Sequence, residues 1–371
     1  MSKKGYGSNK VHISRLTEKL IIAGLILCCV IAVFFSIFVV IKSFGKNSLK
    51  KHANEVANTE LSTRLNDTAP IENEKPLELK EGQILVDGQV YEYNKDIMTF
   101  LCMGVDSRAG ITKEKTPGKA GQADAILLIV VNPRAEKIDV IAVNRDTMTD
   151  IEVYDEAGVF LGEEKKQLAL QYAYGDGREE SCVLMEERIS ELFYGIPIHG
   201  YGAFDMQSIT TLNDEVGGVE VTVLEDMTKY HSQWKEGTSI LLKGEDSLFY
   251  IREREEESGE LGTNIARIER QKQYLLAYVE KLKNKIKEDI TFPLTLYGKV
   301  DEHIVTSLKL DEITYLAGIL SGYDFRVENI RGIAGESSMG EKNEEFHLEE
   351  EKLKELVIDI FYEKVENKDI E

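Results

Sequence analysis

Three short apolar runs bounded by charged residues constrain this chain more than any other feature. Residues 98–105 (MTFLCMGV) end at Asp106, residues 125–131 (AILLIVV) begin just after Asp124, and residues 138–143 (IDVIAV) end just before Asn144-Arg145. Runs of this length between turn signals read as buried strands. Only Asn-Pro-Arg-Ala-Glu-Lys joins the second to the third, too short for a parallel crossover, so these two strands are predicted to be antiparallel. The start of one and the end of the other then share one edge of a sheet, and Asp106 joins them if its strand ends there too. Two carboxylates, Asp106 and Asp124, and two arginines, Arg108 and Arg145, on one sheet edge suit a magnesium ion and a phosphate group.

The N-terminus carries a different signal. Residues 20–41 (LIIAGLILCCVIAVFFSIFVVI) hold no charge over 22 positions, enough at about 1.5 Å per residue to cross a bilayer core of roughly 30 Å. A cleaved signal peptide fits less well, because the run is too long and no A-x-A-like site follows it. Lys3, Lys4, Lys10, Arg15 and Lys19 precede the run and Lys42, Lys46, Lys50 and Lys51 follow it. The small excess on the N-terminal side predicts a cytoplasmic N-terminus. The expected division is a cytoplasmic tail over 1–19, a transmembrane helix over 20–41, a polar stalk with Pro70 and Pro76 over 42–81, and an extracellular folded domain over 82–365. Net charge is -21 for the whole chain; beyond residue 51 the balance is 36 bases against 65 acids. So acidic a body excludes nucleic acid as a partner and makes clustered arginines conspicuous.

Asp87-Gly88 inside an apolar pair signals a hairpin near residues 84–91. Helices are predicted over 179–193, over 203–216 with Gly217-Gly218 closing it, over 244–251, over 264–286, and over 311–320 and 348–365; a strand follows the second over 219–223. Strands and helices interleave without a repeat, so the expected fold is a single mixed-sheet α/β/α domain after the membrane helix. Cys102 and Cys182 read as two buried thiols, with a disulfide between them open outside the cell.

Arg252 and Arg254 share a parity and point one way in an extended segment, while Arg267 and Gln271 are i,i+4 neighbours on the long helix. Glu253, Glu255, Glu256, Glu257 and Glu269 surround them, so a solvated salt-bridge network competes with an anion site. Arg145 follows an apolar strand, where a buried arginine needs an anion; Asp146 is one candidate. Lys165, Lys166 and Gln167 stand within reach of the same edge. His199 reads as a loop residue, and Tyr230, His231 and Trp234 as packing. Walker A, cysteine–histidine zinc spacing and Gly-x-Ser-x-Gly motifs are absent.

In order along the chain stand G-V-D-S-R (104–108), A-D-A-I-L-L (123–128), N-R-D-T (144–147), Q-Y-A-Y-G-D-G (171–177), Y-G-I-P-I (194–198), N-D-E-V-G-G-V-E-V-T-V (213–223), L-K-G-E-D-S-L-F-Y-I-R-E-R (242–254) and A-R-I-E-R-Q-K (266–272). Together with the N-terminal span this series, from about Asp96 to Leu282, resembles the LytR-CpsA-Psr family of cell-wall glycopolymer ligases. The resemblance implies a membrane-anchored α/β domain outside a Gram-positive cell, transferring teichoic acid, capsule or a similar polymer from a polyprenyl pyrophosphate carrier to peptidoglycan. It implies Asp106 and Asp124 as Mg²⁺ ligands, and Arg108, Arg145, Arg252, Arg254 and Arg267, with Gln271, as the pyrophosphate-binding set. Arg145, Arg252, Arg254 and Arg267 join the two acids in catalysis, and either acid is a candidate for deprotonating the attacking hydroxyl. The alternatives are a polyprenyl-pyrophosphate hydrolase and a non-catalytic lipid-binding regulator. Three departures stand out: Gln122 where the family often has arginine, Gln167 and Ala169 in place of Lys-x-Asn, and Asn264-Ile265-Ala266-Arg267 where Asp-x-Gly-Arg is usual. The lipid tail is expected against helices 181–193 and 203–216.

Overall fold

The computed structural model describes residues 45–49, 65, 79–107, 110–253, 262–341 and 343–366. The predicted membrane segment, the tail before it and most of the stalk lie outside these, as do Arg108 and Arg254. Among the described residues no helix is long and apolar enough to cross a membrane.

The elements in chain order are β1 (Gln83–Val86), β2 (Gln89–Tyr93), β3 (Met98–Val105), β4 (Ala123–Asn132), β5 (Lys137–Val143), β6 (Met148–Tyr154), β7 (Phe160–Gln167), a 3₁₀ segment (Leu168–Tyr174), α1 (Glu179–Leu192), β8 (Gly200–Phe204), α2 (Met206–Glu215), β9 (Val219–Thr222), β10 (Ser239–Leu242), α3 (Glu245–Arg252), α4 (Gly262–Glu288), α5 (Phe292–Val300), β11 (Ile304–Thr306), α6 (Leu310–Leu320), β12 (Ile330–Gly332), β13 (Gly335–Met339), β14 (Glu344–Leu348), α7 (Glu350–Phe361) and β15 (Tyr362–Lys364). Asp87 (φ 50°) and Gly88 (φ 73°) turn β1 into β2, both with the positive φ that a type I′ hairpin demands.

Six strands form the central mixed sheet in the order β11-β8-β3-β4-β5-β12. β4 is antiparallel to β3 and to β5, as the six-residue connection requires, while β8 runs parallel to β3 and β12 parallel to β5. Alternation along β3 sends Leu101, Met103 and Val105 to one face, where they join Met185 and Ile189 of α1 and Leu353, Val357 and Phe361 of α7 in the main core. The opposite face carries Met98 and Phe100, packed with Tyr315 and Leu316 of α6. Helices therefore cover both faces, in three layers. A second cluster, built on Val219, Val221, Trp234, Tyr250 and Tyr274, joins β9 and β10 to α3 and α4; Trp234 packs there as expected.

Two sequence expectations change. Residues 200–204 are strand β8, and the helix predicted over 203–216 starts only at Met206, capped by Asp205. The last helix stops at Phe361, and the chain continues as β15 against β2. Helix α1 buries Ser181, Cys182, Met185 and Ile189 and leaves Val183 exposed. Cys102 and Cys182 are free thiols. They sit on the sheet and on α1, and burial of Cys182 pushes its thiol well up.

Candidate active site

The antiparallel pairings bring the end of β3, the start of β4 and the end of β5 to one edge, with Val105 opposite Ala123 and Ile126 opposite Val143. The register slips between Gly104 and Val105, the irregularity that commonly re-aims side chains beside functional sites. Arg145 is the hub beyond β5. Its Nη1 donates to Asp124 Oδ1, its Nη2 donates to Gln122 Oε1 at 2.9 Å, and its Nε lies 3.4 Å from Asp146 Oδ1. Gln167 Nε2 in turn donates to Asp146 Oδ1 at 2.8 Å and to the Glu344 carbonyl at 2.7 Å. Two of the departures from the family pattern, Gln122 and Gln167, thus hold the guanidinium and its neighbour in place as uncharged partners.

Arg252, at the end of α3, reaches the same edge from another direction. Its Nη2 is 3.8 Å from Asp106 Oδ1 and its Nη1 donates to Met206 Sδ at 2.7 Å. Helix α4 secures this segment. Arg270 Nε donates to the Tyr250 carbonyl at 2.8 Å, and its terminal nitrogens donate to the Glu253 carbonyl and to Glu225. Gln271 Nε2 donates to the Ile251 carbonyl at 3.0 Å. Arg267 lies half-buried on the same helix, one turn before Gln271.

Exposure separates these groups. The side chains of Asp106, Asp124, Arg145 and Arg252 are 54, 34, 32 and 42% exposed, whereas Arg270 is 4% exposed. Ion pairs reached by solvent are worth roughly 0–1 kcal/mol, so the four edge groups are free to exchange partners. The structure therefore brings together Asp106, Asp124, Arg145, Arg252 and, through backbone contact, Gln271; Arg108 and Arg254 adjoin the site in sequence and lie outside the described residues.

Beneath the edge runs an apolar strip. Gly104 is opposite Ala125, Cys102 opposite Leu127 and Gly202, and Leu127 opposite Ala142. All alternate onto the α6 face, and all are at least partly exposed. Apart from Leu127 the side chains here are small, and Tyr315 and Leu316 of α6 pack with Met98 and Phe100, earlier on β3. A row of charge beside an exposed apolar strip can take a ligand with an anionic head and a hydrocarbon tail.

Sequence reasoning missed one pair at this edge. Asp205, wholly buried, accepts from Ser208 N at 2.8 Å and lies 2.7 Å from His303 Nδ1. The aspartate and serine at cap spacing were a helix-start signal; the histidine, 98 residues away, carried none.

The model of the LytR_cpsA_psr family matches residues 53–358. A curated relative from Halalkalibacterium halodurans, named polyisoprenyl-teichoic acid–peptidoglycan teichoic acid transferase TagU, is 30% identical over 66% of this chain and 71% of its own length. The similarly named TagV of Bacillus subtilis is 25% identical over 70% of this chain and 62% of its own length. The crystal structure of B. subtilis TagV superposes with a TM-score of 0.53 at 21% identity, covering 72% of this chain and 97% of that one, and so shares the fold. With the family model spanning most of the sequence, the chain belongs to the LytR_cpsA_psr family.

Proposed function

We propose that this protein transfers a glycopolymer, teichoic acid or a polymer like it, from a polyprenyl pyrophosphate carrier to a hydroxyl of peptidoglycan. The observation that carries this reading is the row of Asp106, Asp124, Arg145 and Arg252 above the strip from Gly104 to Ala142. A lipid pyrophosphate has that same division into anionic head and apolar tail. Arg145 and Arg252 bind the pyrophosphate oxygens, exchanging weak pairs with aspartate for charge-assisted contacts to phosphate. Gln122 and Gln167 keep Arg145 and Asp146 oriented while that exchange takes place. The strip receives the first prenyl units.

Asp106 and Asp124 are the residues that would hold Mg²⁺. Two partly exposed carboxylates from neighbouring strand ends fit an ion that keeps several waters and binds phosphate oxygens. When bound, the ion neutralises charge building on those oxygens. Placement follows from the same reading: the uncharged run 20–41 anchors the chain in the cell membrane, with the catalytic domain outside, beside both lipid carrier and wall.

The test is full-length protein in liposomes, supplied with a lipid-linked oligosaccharide and a peptidoglycan fragment. The expected result is covalent glycan on the fragment and release of polyprenyl phosphate, with Mg²⁺ required. Asp106→Ala and Asp124→Ala should each abolish turnover and leave the melting temperature nearly unchanged. Release to water alone makes the protein a hydrolase; tight lipid binding without turnover makes it a regulator. Either result overturns the proposal.

A further inference from the structure

Five neighbouring strands place a polar residue at one edge of the sheet. His303 precedes β11, Asp205 follows β8, Asp106 follows β3, Asp124 opens β4 and Arg145 follows β5, in the strand order β11-β8-β3-β4-β5. Strands lie about 4.8 Å apart, so the backbones of His303 and Asp106 are about 10 Å apart. Asp205 and the start of α2 stand between them, so His303 flanks the charged row from beyond β8.

Asp205 is wholly buried, with Oδ1 taken by Ser208 N at 2.8 Å and Oδ2 at 2.7 Å from His303 Nδ1. A carboxylate only accepts, so Nδ1 carries the hydrogen that faces Asp205, and Nε2 is the ring nitrogen left to meet a ligand. Among the described residues Nε2 makes no hydrogen bond, and the side chain is 26% exposed. The loop leaving Asp106 is pinned against this end of the sheet: Met206 N donates to the Ser107 carbonyl at 3.0 Å, and Gly110 lies so near the Glu302 carbonyl that a Cβ there would stand 3.3 Å from it. Ser107 and Gly110 thus tie the segment after Asp106 to the end of the sheet that carries His303.

We propose that His303, oriented by Asp205, is the proton acceptor for the attacking hydroxyl; this rests on the transferase reading above. The hydroxyl oxygen forms a bond to the glycan-side phosphorus. The bond from that phosphorus to the bridging oxygen breaks, and its electron pair leaves with polyprenyl phosphate. The hydroxyl proton passes to Nε2, and the buried Asp205 carboxylate stabilises the imidazolium.

The test compares the full-length wild type with His303→Gln and His303→Ala in the liposome transfer assay, with and without free imidazole. The expected loss in kcat is roughly 10²- to 10⁴-fold, with KM for the lipid substrate and melting temperature nearly unchanged in His303→Gln. Imidazole should restore part of the His303→Ala rate and none of the Asp106→Ala rate. A tie between β11 and α2 would instead lower the melting temperature and give no rescue. Wild-type kcat in His303→Gln, or a loss that imidazole leaves untouched in a well-folded His303→Ala, overturns the assignment alone. A wild-type protein that transfers nothing overturns the transferase reading and this one with it.

Discussion

Arg145 and Arg270 both face a carboxylate, Asp124 and Glu225, yet they belong to different regimes. Arg145 stands at a sheet edge with a third of its side chain exposed, and all three of its contacts are to side chains. Arg270 is almost fully buried, and two of its contacts are backbone carbonyls, of Tyr250 and Glu253. Burial depresses the Arg270 pKa, and that same burial makes its contacts hard to replace. Side-chain partners in solvent can be exchanged for a ligand; buried carbonyls cannot. An arginine's work here is therefore read from what it touches and how dry the contact is, more than from the acids near it in sequence. Arg270 builds the segment that presents Arg252, and Arg145 and Arg252 are the two arginines placed to meet the proposed substrate.

The largest effect expected from this contrast is on stability. Arg270→Met should cost about 3–5 kcal/mol, because it strands two buried carbonyls and a partly buried glutamate; denaturant unfolding of the full-length protein measures it. A loss below about 1 kcal/mol would put Arg270 in the same class as Arg145. Next come Arg145→Lys and Arg252→Lys, in which charge survives but the planar fork is lost. Lipid-pyrophosphate affinity or turnover should fall roughly tenfold to a hundredfold, equivalent to about 1.5–3 kcal/mol, with the melting temperature steady. Wild-type binding and turnover in both would return them to a surface salt-bridge network. The smallest effect lies on the closed side of the sheet. Glu186 on α1 feels burial and Glu187 instead of an arginine, and its pKa is pushed up to about 7. The folded chain then holds a proton that the unfolded chain releases at the ordinary glutamate value. This contribution is complete below that value and is lost as pH rises through about 7. Glu186→Gln should flatten the decline in stability between about pH 5 and pH 8 by about 1 kcal/mol; an unchanged pH profile would show that Glu186 ionises freely.

Legibility in the sequence followed range of interaction. Strands β3, β4 and β5 announced themselves as apolar runs, and the six-residue link between two of them dictated the antiparallel edge where Asp106, Asp124 and Arg145 meet. Strand β8 was hidden because Gly200 and Gly202 look like loop, and because residues 203–216 continue a helical pattern that tertiary pairing with β3 overrides at its start. The ribbon of β6 and β7 was hidden for the opposite reason: FLGEEKKQ is polar and largely exposed, with little apolar alternation to read. Arg270 stands in the A-R-I-E-R-Q-K segment, but its i,i+3 spacing to Arg267 says nothing about burial. Gln122 and Gln167 looked like losses from the family pattern until their hydrogen bonds to Arg145 and Asp146 were placed.

The sheet closes late in the sequence. β12 pairs with β5, and Asn329 beside it meets Asp139 from 190 residues away; β15 pairs with β2, and Asn94 donates to Glu363 across 269 residues. A growing chain that has not reached residue 330 leaves β5 as an open edge, and one that has not reached 362 leaves β2 open on one side. Contacts so distant make folding slow and leave strand edges available for wrong pairings until residues 330–364 have been made. Residues 330–364 contribute no arginine or acid to the charged row, yet they close two strand edges and, through the Glu344 carbonyl, hold Gln167 beside Asp146, so they bear on the yield of folded protein as well as on the site.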